Sequence, residues 1–425
     1  MLLLLIIPFI NSCKDDDSFE NVTTETQETV TEETNKDSYT TGKIRVKFTE
    51  ELALQVQTTI KLSKNSNTTT KTEVKSVDNA LSSLNVTGLK RTLPYCGKFE
   101  KRTHEAGLDR WYDITFDKSK SLTKANNDLS LIDGIDIVEY IPIVKISDNT
   151  KNTVPPSTAT KNYSNIVTNK NNDIYPFNDP YSVYQWNYYN DGVDYNGDPD
   201  SNMVKGCDIN VLSVWKNFTT GNKDVIVAVI DEGIDINHED LAGNIWENSS
   251  ELNGITGVDD DNNGYVDDIN GYNFVKDKGN IVGDDHGTHV AGTIGAVNNN
   301  GIGVCGIAGG DKGKDIKGVS LMSCEIFENY TDDNGDTSTS QGKPMEAIKY
   351  AADNGAVIAQ CSWGYTDPTS NYIGPYYEKV IDYFIKYAGI DENGIQTGPM
   401  EGGVIIFSAG NDDNIYGPPG SYEPA

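Results

Sequence analysis

The sequence predicts an α/β fold in which helices cover both faces of a parallel sheet, preceded by a small α+β domain. In the second half of the chain, short β-branched runs alternate with helical stretches, which is the pattern of a parallel sheet. The runs are residues 225–230, 356–360 and 404–408. Residues 344–354 predict one of the helices, because Gly355 follows them where a C-cap favours glycine.

The α+β domain is predicted over residues 43–147. Residues 122–131 have the pattern of a helix, and Gly134 follows as a stop signal. Strands are predicted in segments that alternate or are rich in β-branched residues, namely 44–48, 111–116 and 135–146. By itself this unit is compatible with any accessory domain.

Composition narrows the class of function. The chain has 425 residues, and a hydrophobic content of 36% is enough for packed cores. Its 34 basic and 64 acidic side chains give a net charge of −30. Nucleic acid is therefore not expected as a partner, because binding to phosphate backbones requires a positive surface.

The first residues predict export. Residues 1–13 form an apolar segment too short to span a bilayer, which is typical of a signal peptide. The segment ends in a small residue followed by Cys13 and resembles the bacterial lipoprotein type, in which Cys13 becomes the lipidated N-terminus. The resemblance implies a lipid-anchored protein at the cell envelope or cell surface, with the outer membrane as one location. An ordinary secretory signal with an incidental cysteine is the alternative.

Two polar segments flank the α+β domain. Residues 14–42 predict an acidic disordered tether, since residues 14–37 hold nine Asp or Glu against two Lys and almost no large apolar residues. Residues 148–177 lack periodicity and predict an exposed, cleavable linker. The α/β domain is predicted over the remaining residues, 178–425.

Two motifs place an acid and a base at expected element ends. Asp231 follows the run 225–230 and so stands at the carboxyl end of a predicted strand, where open α/β sheets place their active sites. His286 begins a predicted helix of small residues. If Asp231 accepts from one ring nitrogen of His286, the other nitrogen can take a proton from a nucleophile. His289 is expected to be a packed structural residue. Zinc is not predicted at these histidines, because a third ligand and the His-Glu-x-x-His spacing are missing.

These motifs carry a family resemblance. Asp231-x-Gly-Ile with His238-x-Asp240-Leu241, followed by His286-Gly-Thr-His-Val-Ala-Gly, resembles the subtilisin-like serine peptidases (peptidase S8) in order and spacing. The resemblance implies a subtilisin-like sheet and a serine-type endopeptidase acting on polypeptides, in which Asp231 orients His286. It further implies that residues 43–147 are a propeptide, which acts as an intramolecular inhibitor.

Other residues take expected roles from the same resemblance. Asn411 resembles the asparagine of the oxyanion hole, whose amide donates to the developing oxyanion. Residues 359–364 resemble the substrate-binding strand, whose backbone pairs with the peptide. The residues expected to contact substrate are Ser362, Trp363, Gly364, Ala409 and Gly410.

The nucleophile is expected elsewhere. In the family the serine follows the oxyanion asparagine at a distance, and residues 412–425 contain no Gly-Thr-Ser-Met-type motif. Ser338 and Ser340 precede the substrate-binding segment and match a variable surface loop. We therefore expect the serine to lie beyond residue 425, and this fragment alone to be inactive. The alternative is a catalytically inactive, truncated surface lipoprotein that binds peptide or calcium.

No cofactor is expected for catalysis, but structural calcium is expected at two clusters, since hard cations need several oxygen ligands. The first resembles the strong calcium site of the family and comprises Asp179, Asp240, Val297 and Asn299. The second follows the Asp-x-Asp-x-Asn-Gly pattern of a calcium loop and comprises Asp259, Asp261, Asn263 and Asp267. A plain surface turn is the alternative for the second cluster.

Overall fold

A computed structural model describes residues 38–62, 68–146, 174–193, 203–331, 337–366 and 374–411. The predicted signal peptide with Cys13 lies outside the described residues, as do most of the tether and most of the linker. Within the described ranges, no helix is long and apolar enough to cross a membrane.

The N-terminal part contains a four-stranded sheet in the order β2-β3-β1-β4, in which neighbouring strands are antiparallel. Its strands are β1 (Lys43–Phe48), β2 (Gly88–Arg91), β3 (Trp111–Thr115) and β4 (Ile135–Glu139). Its helices are α1 (Glu50–Leu62), α2 (Lys75–Ser83), α3 (Glu100–Glu105) and α4 (Leu122–Ser130). The predicted run 135–146 is divided, because Pro142 has no amide to donate to a strand ladder. Its second half, β5 (Val144–Ile146), leaves this sheet.

The α/β part contains a five-stranded parallel sheet in the order β15-β13-β6-β10-β7. These strands are β6 (Ile226–Asp231), β7 (Gly271–Asn273), β10 (Ser320–Glu325), β13 (Ile358–Cys361) and β15 (Val404–Phe407). Smaller pairings involve β8 (Gly310–Asp311), β9 (Ile316–Lys317), β11 (Phe327–Thr331), β12 (Thr337–Gln341) and β14 (Trp363–Tyr365). The helices are α5 (Val211–Asn217), α6 (Ser249–Leu252), α7 (Asp285–Gly295), α8 (Pro344–Asp353) and α9 (Pro375–Tyr387).

Both faces of the parallel sheet are buried, as its β-branched strands predict. Ala228 and Ile230 of β6 belong to the core that contains α8 and α9. Val227 and Val229 point to the opposite face and pack in the core that contains Ala291 of α7. Because successive side chains alternate between the faces of a strand, one apolar strand supports helices on both sides. The predicted α/β fold is confirmed.

The parallel arrangement brings the carboxyl ends of several strands to one edge. Ile230 lies beside Cys361, and Cys361 lies beside Phe407, so β6, β13 and β15 end at the same level. Asp231 ends β6, and Ser362 and Ser408 directly follow β13 and β15. The fold therefore gathers three of the sequence motifs along one edge of the sheet.

Candidate active site

Asp231 and His286 form a hydrogen-bonded pair at this edge. Asp231 is the last residue of β6 and is 1% exposed. Its Oδ1 lies 2.6 Å from Nδ1 of His286 and also accepts the amide of Glu232 at 2.8 Å. With Nδ1 as donor to the carboxylate, Nε2 is the nitrogen that can accept a proton. This arrangement can activate a nucleophile.

Close packing holds α7 against the segment that follows Asp231. Asp284 caps the helix by accepting the amide of Asp285 at 2.8 Å. Gly287 lies so near Gly233 that a β-carbon would be 2.3 Å from the carbonyl oxygen of Gly233. Because real β-carbons do not approach that closely, glycine at position 287 allows His286 to reach Asp231.

His289 corrects one expectation. It is exposed rather than packed. The buried residues of α7 are Gly287, Ala291 and Gly295, which share one face of the helix. His289 does not lie on that face, so it makes no part of the core.

The predicted substrate-binding segment pairs with the N-terminal part of the chain. β14 and β5 are antiparallel, and Gly364 stands opposite Lys145. Ser362 lies in the link between β13 and β14, where its Oγ accepts from the side-chain amide Nε2 of Gln360 at 3.1 Å. The backbone of β14 therefore already carries an added strand.

The side chain of Trp363 belongs to the core. It is 2% exposed and packs edge-on against Phe407, with ring centroids 5.3 Å apart. Its Nε1 donates to the carbonyl oxygen of Ile230 at 3.0 Å. The side chain of Trp363 is therefore not available for the expected substrate contact, and a contact through its backbone stays a prediction.

Ala409, Gly410 and Asn411 follow β15 at the same edge. The amide of Ser408 donates to the carbonyl oxygen of Cys361 at 3.0 Å, which extends the pairing of β15 with β13 by one residue. Asn411 is exposed. Its role in an oxyanion hole stays a prediction.

Glu232 is a buried acid that the sequence analysis missed. It is 3% exposed, and its Oε1 accepts from Nδ2 of Asn329 at 2.8 Å. Within the described residues its Oε2 has no hydrogen-bond partner, and burial raises the pKa of Glu232 to about 7. One of its carboxylate oxygens lies within 4.8 Å of one oxygen each of Asp284 and Asp285. In the sequence, this acidic group is indicated by Glu232 directly after Asp231 and by Asp284 and Asp285 directly before His286.

The structure brings Asp179, Asp240 and Val297 of the first predicted calcium cluster close together. Asp179 and Asp240 are both buried, and burial raises the pKa of each carboxyl. Asp179 accepts from the amide of Asn300 at 3.1 Å, and Asp240 accepts from the side-chain amide of Asn300 at 2.7 Å. The amide of Val297 donates to the carbonyl oxygen of Asp240 at 2.8 Å. Oxygen ligands of this kind are those that calcium prefers, and the role of Asp179, Asp240 and Val297 as calcium ligands stays a prediction.

The asparagine of this cluster differs from the expected one. The side chain of Asn299 donates to Asp311 at 2.8 Å, whereas the side chain of Asn300 faces Asp240. Asn299 adopts a positive φ of 58°, which turns successive side chains in different directions. The side chain beside Asp240 is therefore that of Asn300 and not that of Asn299.

In the predicted calcium loop, side chains form hydrogen bonds with one another and with main-chain amides. Both oxygens of Asp259 accept loop amides, those of Asn263 at 3.0 Å and Gly264 at 2.9 Å. Asn263 donates its side-chain amide to Asp268, and Asp267 accepts the amide of Gly257 at 2.9 Å. Asp259, Asn263 and Asp267 thus shape the loop through hydrogen bonds, and their role as calcium ligands with Asp261 stays a prediction.

The acidic cluster nearby consists of Glu251, Asp261 and Asp268, whose oxygens lie within 4.8 Å of one another. Burial raises the pKa of Asp268 to about 7, and burial also raises the pKa of Glu251. Lys98 from the N-terminal part donates to Asp261 at 3.0 Å. Glu251 lies in α6, before the loop begins, so the loop pattern gave no signal for it.

Comparison with known families agrees with the fold. Residues 222–424 match the subtilase family, and residues 44–192 match the N-terminal region of the subtilase family. The two matched regions together make up most of the chain, which is therefore similar to the subtilase family in both of its parts.

Relatives with curated names are proteases. Subtilisin-like protease 1 of Plasmodium vivax is 37% identical over 170 residues, which are 39% of this chain and 23% of that protein. Subtilisin-like protease 1 of Plasmodium falciparum (isolate 3D7) is 58% identical over 82 residues, which are 19% of this chain and 12% of that protein. Kexin of Saccharomyces cerevisiae is 28% identical over 241 residues, 56% of this chain and 23% of kexin. The chain spans less than a third of the length of these relatives.

Solved structures that match the chain include fervidolysin from Fervidobacterium pennivorans, a keratinolytic enzyme related to subtilisin. It is 18% identical, covers 83% of this chain and 39% of its own, and has a TM-score of 0.43. The epidermin leader peptide processing serine protease from Staphylococcus aureus is 16% identical, with coverages of 84% and 59% and a TM-score of 0.38.

Proposed function

We propose that this chain is the precursor of a serine-type endopeptidase that hydrolyses peptide bonds by an Asp-His-Ser mechanism. The observation that carries the proposal is the 2.6 Å contact between Asp231 Oδ1 and His286 Nδ1. In this mechanism Asp231 orients the ring and stabilises the imidazolium, and Nε2 of His286 takes the proton of the nucleophile. No serine among the described residues is assigned the role of nucleophile in this proposal. Ser338 and Ser340 are not proposed, because they lie on β12, paired with β11.

Substrate is proposed to bind along β14 as an added antiparallel strand. Support comes from the pairing of Gly364 with Lys145, in which β5 takes the place of a peptide. Asn411 is proposed to donate to the oxyanion of the tetrahedral intermediate, an effect for which loss of one donor typically costs about 10²–10³ in rate. The names of the curated relatives support a polypeptide substrate.

The N-terminal domain is proposed to be the inhibitory propeptide. Because β5 pairs with β14, a substrate strand cannot use the same backbone groups while the domain is docked. The match of residues 44–192 to the N-terminal region of the subtilase family supports this assignment.

Structural calcium and a membrane anchor are parts of the same proposal. Asp179, Asp240 and Asn300 would hold one calcium ion, and Glu251, Asp261 and Asp268 a second. Calcium would neutralise buried carboxylates there, away from the reacting groups. Lipidation of Cys13 would hold the exported protein at the cell envelope or cell surface.

Labelling with a fluorophosphonate, which reacts with an activated serine, tests the catalytic proposal. Protein translated from the whole reading frame is expected to be labelled, and His286→Ala is expected to abolish labelling. His289→Ala is a matched control, since this exposed histidine lies on the same helix. Absence of labelling from the whole reading frame would favour the inactive surface lipoprotein instead.

A further inference from the structure

Arg102 of the N-terminal domain enters a pocket of the α/β part. It lies on α3, and its side chain is 6% exposed. The pocket is formed by Asp353 at the end of α8, by Tyr383 of α9 and by main-chain carbonyls in the turn after α9. A long cationic side chain is thus almost fully buried between two parts of the chain.

The pocket matches the shape of a guanidinium group. Nε donates to the hydroxyl of Tyr383 at 2.7 Å and to Asp353 at 3.1 Å, and Nη2 donates to Asp353 at 2.5 Å. Nη1 donates to the carbonyl oxygens of Ile390 at 3.1 Å and Asp391 at 3.2 Å. All three nitrogens therefore have acceptors. A lysine ammonium is a single point charge and cannot reach acceptors arranged as a planar fork.

Contacts inside the α/β part organise these acceptors without Arg102. The hydroxyl of Tyr383 donates to Asp353 at 2.6 Å. The carboxylate of Asp391 accepts the amides of Asn393 at 2.9 Å and Ile395 at 2.8 Å, which fixes the turn that presents the carbonyls. The pocket is built by the region that receives Arg102.

Lys349 compensates the charge of Asp353 when Arg102 is absent from the pocket. It lies one helical turn before Asp353, is 0% exposed and forms an ion pair with the other carboxylate oxygen of Asp353. A buried carboxylate left without a partner is strongly destabilising. Because Lys349 stays in place, departure of Arg102 does not leave Asp353 uncompensated.

We propose that this pocket is a binding site for the side chain of arginine, and that Arg102 is the residue by which the α/β part recognises its own N-terminal domain. The ligand class is a monoalkyl guanidinium. The role of Arg102 in recognition of an inhibitory propeptide rests on the proposed function, because it assumes that the α/β part is a peptidase. The binding itself does not require catalysis.

Chemical rescue in the full chain tests the proposal. Arg102→Ala removes the guanidinium and leaves Asp353, Tyr383 and Lys349 in place. We expect amide hydrogen exchange in α3 and in residues 390–396 to become faster by about tenfold or more, because buried acceptors lose their donors. Millimolar ethylguanidinium is expected to restore protection, and ethylammonium at the same concentration is not. Arg102→Lys is expected to behave like Arg102→Ala.

The controls separate recognition from general stability. Arg110→Ala removes another arginine of the same domain, which is only partly buried, and neither compound is expected to affect it. Equal rescue by the two compounds, or wild-type protection in Arg102→Lys, would overturn the proposal. If Arg102→Ala does not fold, Tyr383→Phe keeps the ring and removes one acceptor; unchanged exchange in α3 would then contradict it. This test does not use fluorophosphonate labelling. Failure of the rescue experiment can therefore be distinguished from failure of the proposed peptidase function.

Discussion

Gly287 of α7 packs against the carbonyl oxygen of Gly233 with no space for a side chain between them, since a β-carbon on Gly287 would lie 2.3 Å from that oxygen. Gly233 follows Asp231 by two residues, and Gly287 follows His286 directly. The distance between the acid and the base is therefore set by two neighbouring residues that carry no chemistry of their own.

Gly287→Ala is expected to push α7 away from β6 and to slow fluorophosphonate labelling of the whole-frame protein by about 10²-fold, as a displacement near 1 Å can. Gly292→Ala is the matched control on the same helix, because nothing lies within 4 Å of its added β-carbon. Labelling rates of the two variants, measured side by side, check the prediction. Equal rates would show that the contact with Gly233 does not position His286.

Asp231→Asn is expected to lower kcat by about 10⁴-fold while leaving the fold intact, because an amide favours the wrong tautomer of the histidine ring. Steady-state hydrolysis of a peptide substrate by the whole-frame protein measures this effect. Asp224→Asn is the control, since Asp224 is exposed before the same strand. A loss smaller than tenfold would mean that Asp231 does not orient the base.

Docking of the N-terminal domain is expected to weaken as pH rises, because of Glu139. Its Oε2 accepts the amide of Tyr376 at the start of α9 at 3.1 Å, and burial raises the pKa of Glu139 from about 4.5 to about 7. The docked state therefore binds the proton more tightly than the free carboxyl does. The stability that the protonated Glu139 carboxyl contributes is fully present below pH 4.5 and is lost as pH rises through 7.

Comparison of the thermal midpoint of the full chain with that of Glu139→Gln isolates this effect. Glutamine has no proton to lose, so the stability difference in its favour is expected to grow between about pH 4.5 and pH 7 and then level off. A difference that stays constant across this interval would contradict the pKa shift.

Calcium is expected to stabilise the full chain through the first cluster. At a calcium concentration of about 100 times Kd, the gain in unfolding free energy is about 2.7 kcal/mol. Chelation should lower the thermal midpoint accordingly, and Asp240→Asn should remove most of the response. Asp382→Asn is the charge-matched control at an exposed site. A response unchanged in Asp240→Asn would place the ion elsewhere.

Sequence patterns predicted the features that depend on neighbouring residues. The β-branched run before Asp231 forms a strand buried on both faces, and the small residues after His286 form a helix that packs closely. These are local consequences of side-chain shape and hydrophobicity. The sequence motifs alone therefore identify both members of the Asp–His pair.

Features built from distant residues were beyond sequence reasoning. Arg102 and Asp353 are 251 positions apart, and nothing in either segment indicates the other. Glu251 and Asp268 flank the calcium loop, so their approach to Asp261 depends on how the loop folds back. The direction of the Trp363 side chain depends on packing against Phe407, on another strand. Long-range pairing decides each of these cases.

Arg102 and β5 attach one folded domain to its partner surface at two separate places. When one attachment opens, the other keeps the separated groups at a high effective concentration, so the open attachment forms again quickly. A single cleavage of the chain between the N-terminal domain and the α/β part would thus leave the domain in place until both attachments opened together. Activation would then be steep, with few half-released molecules, and the strength of either attachment would set the threshold.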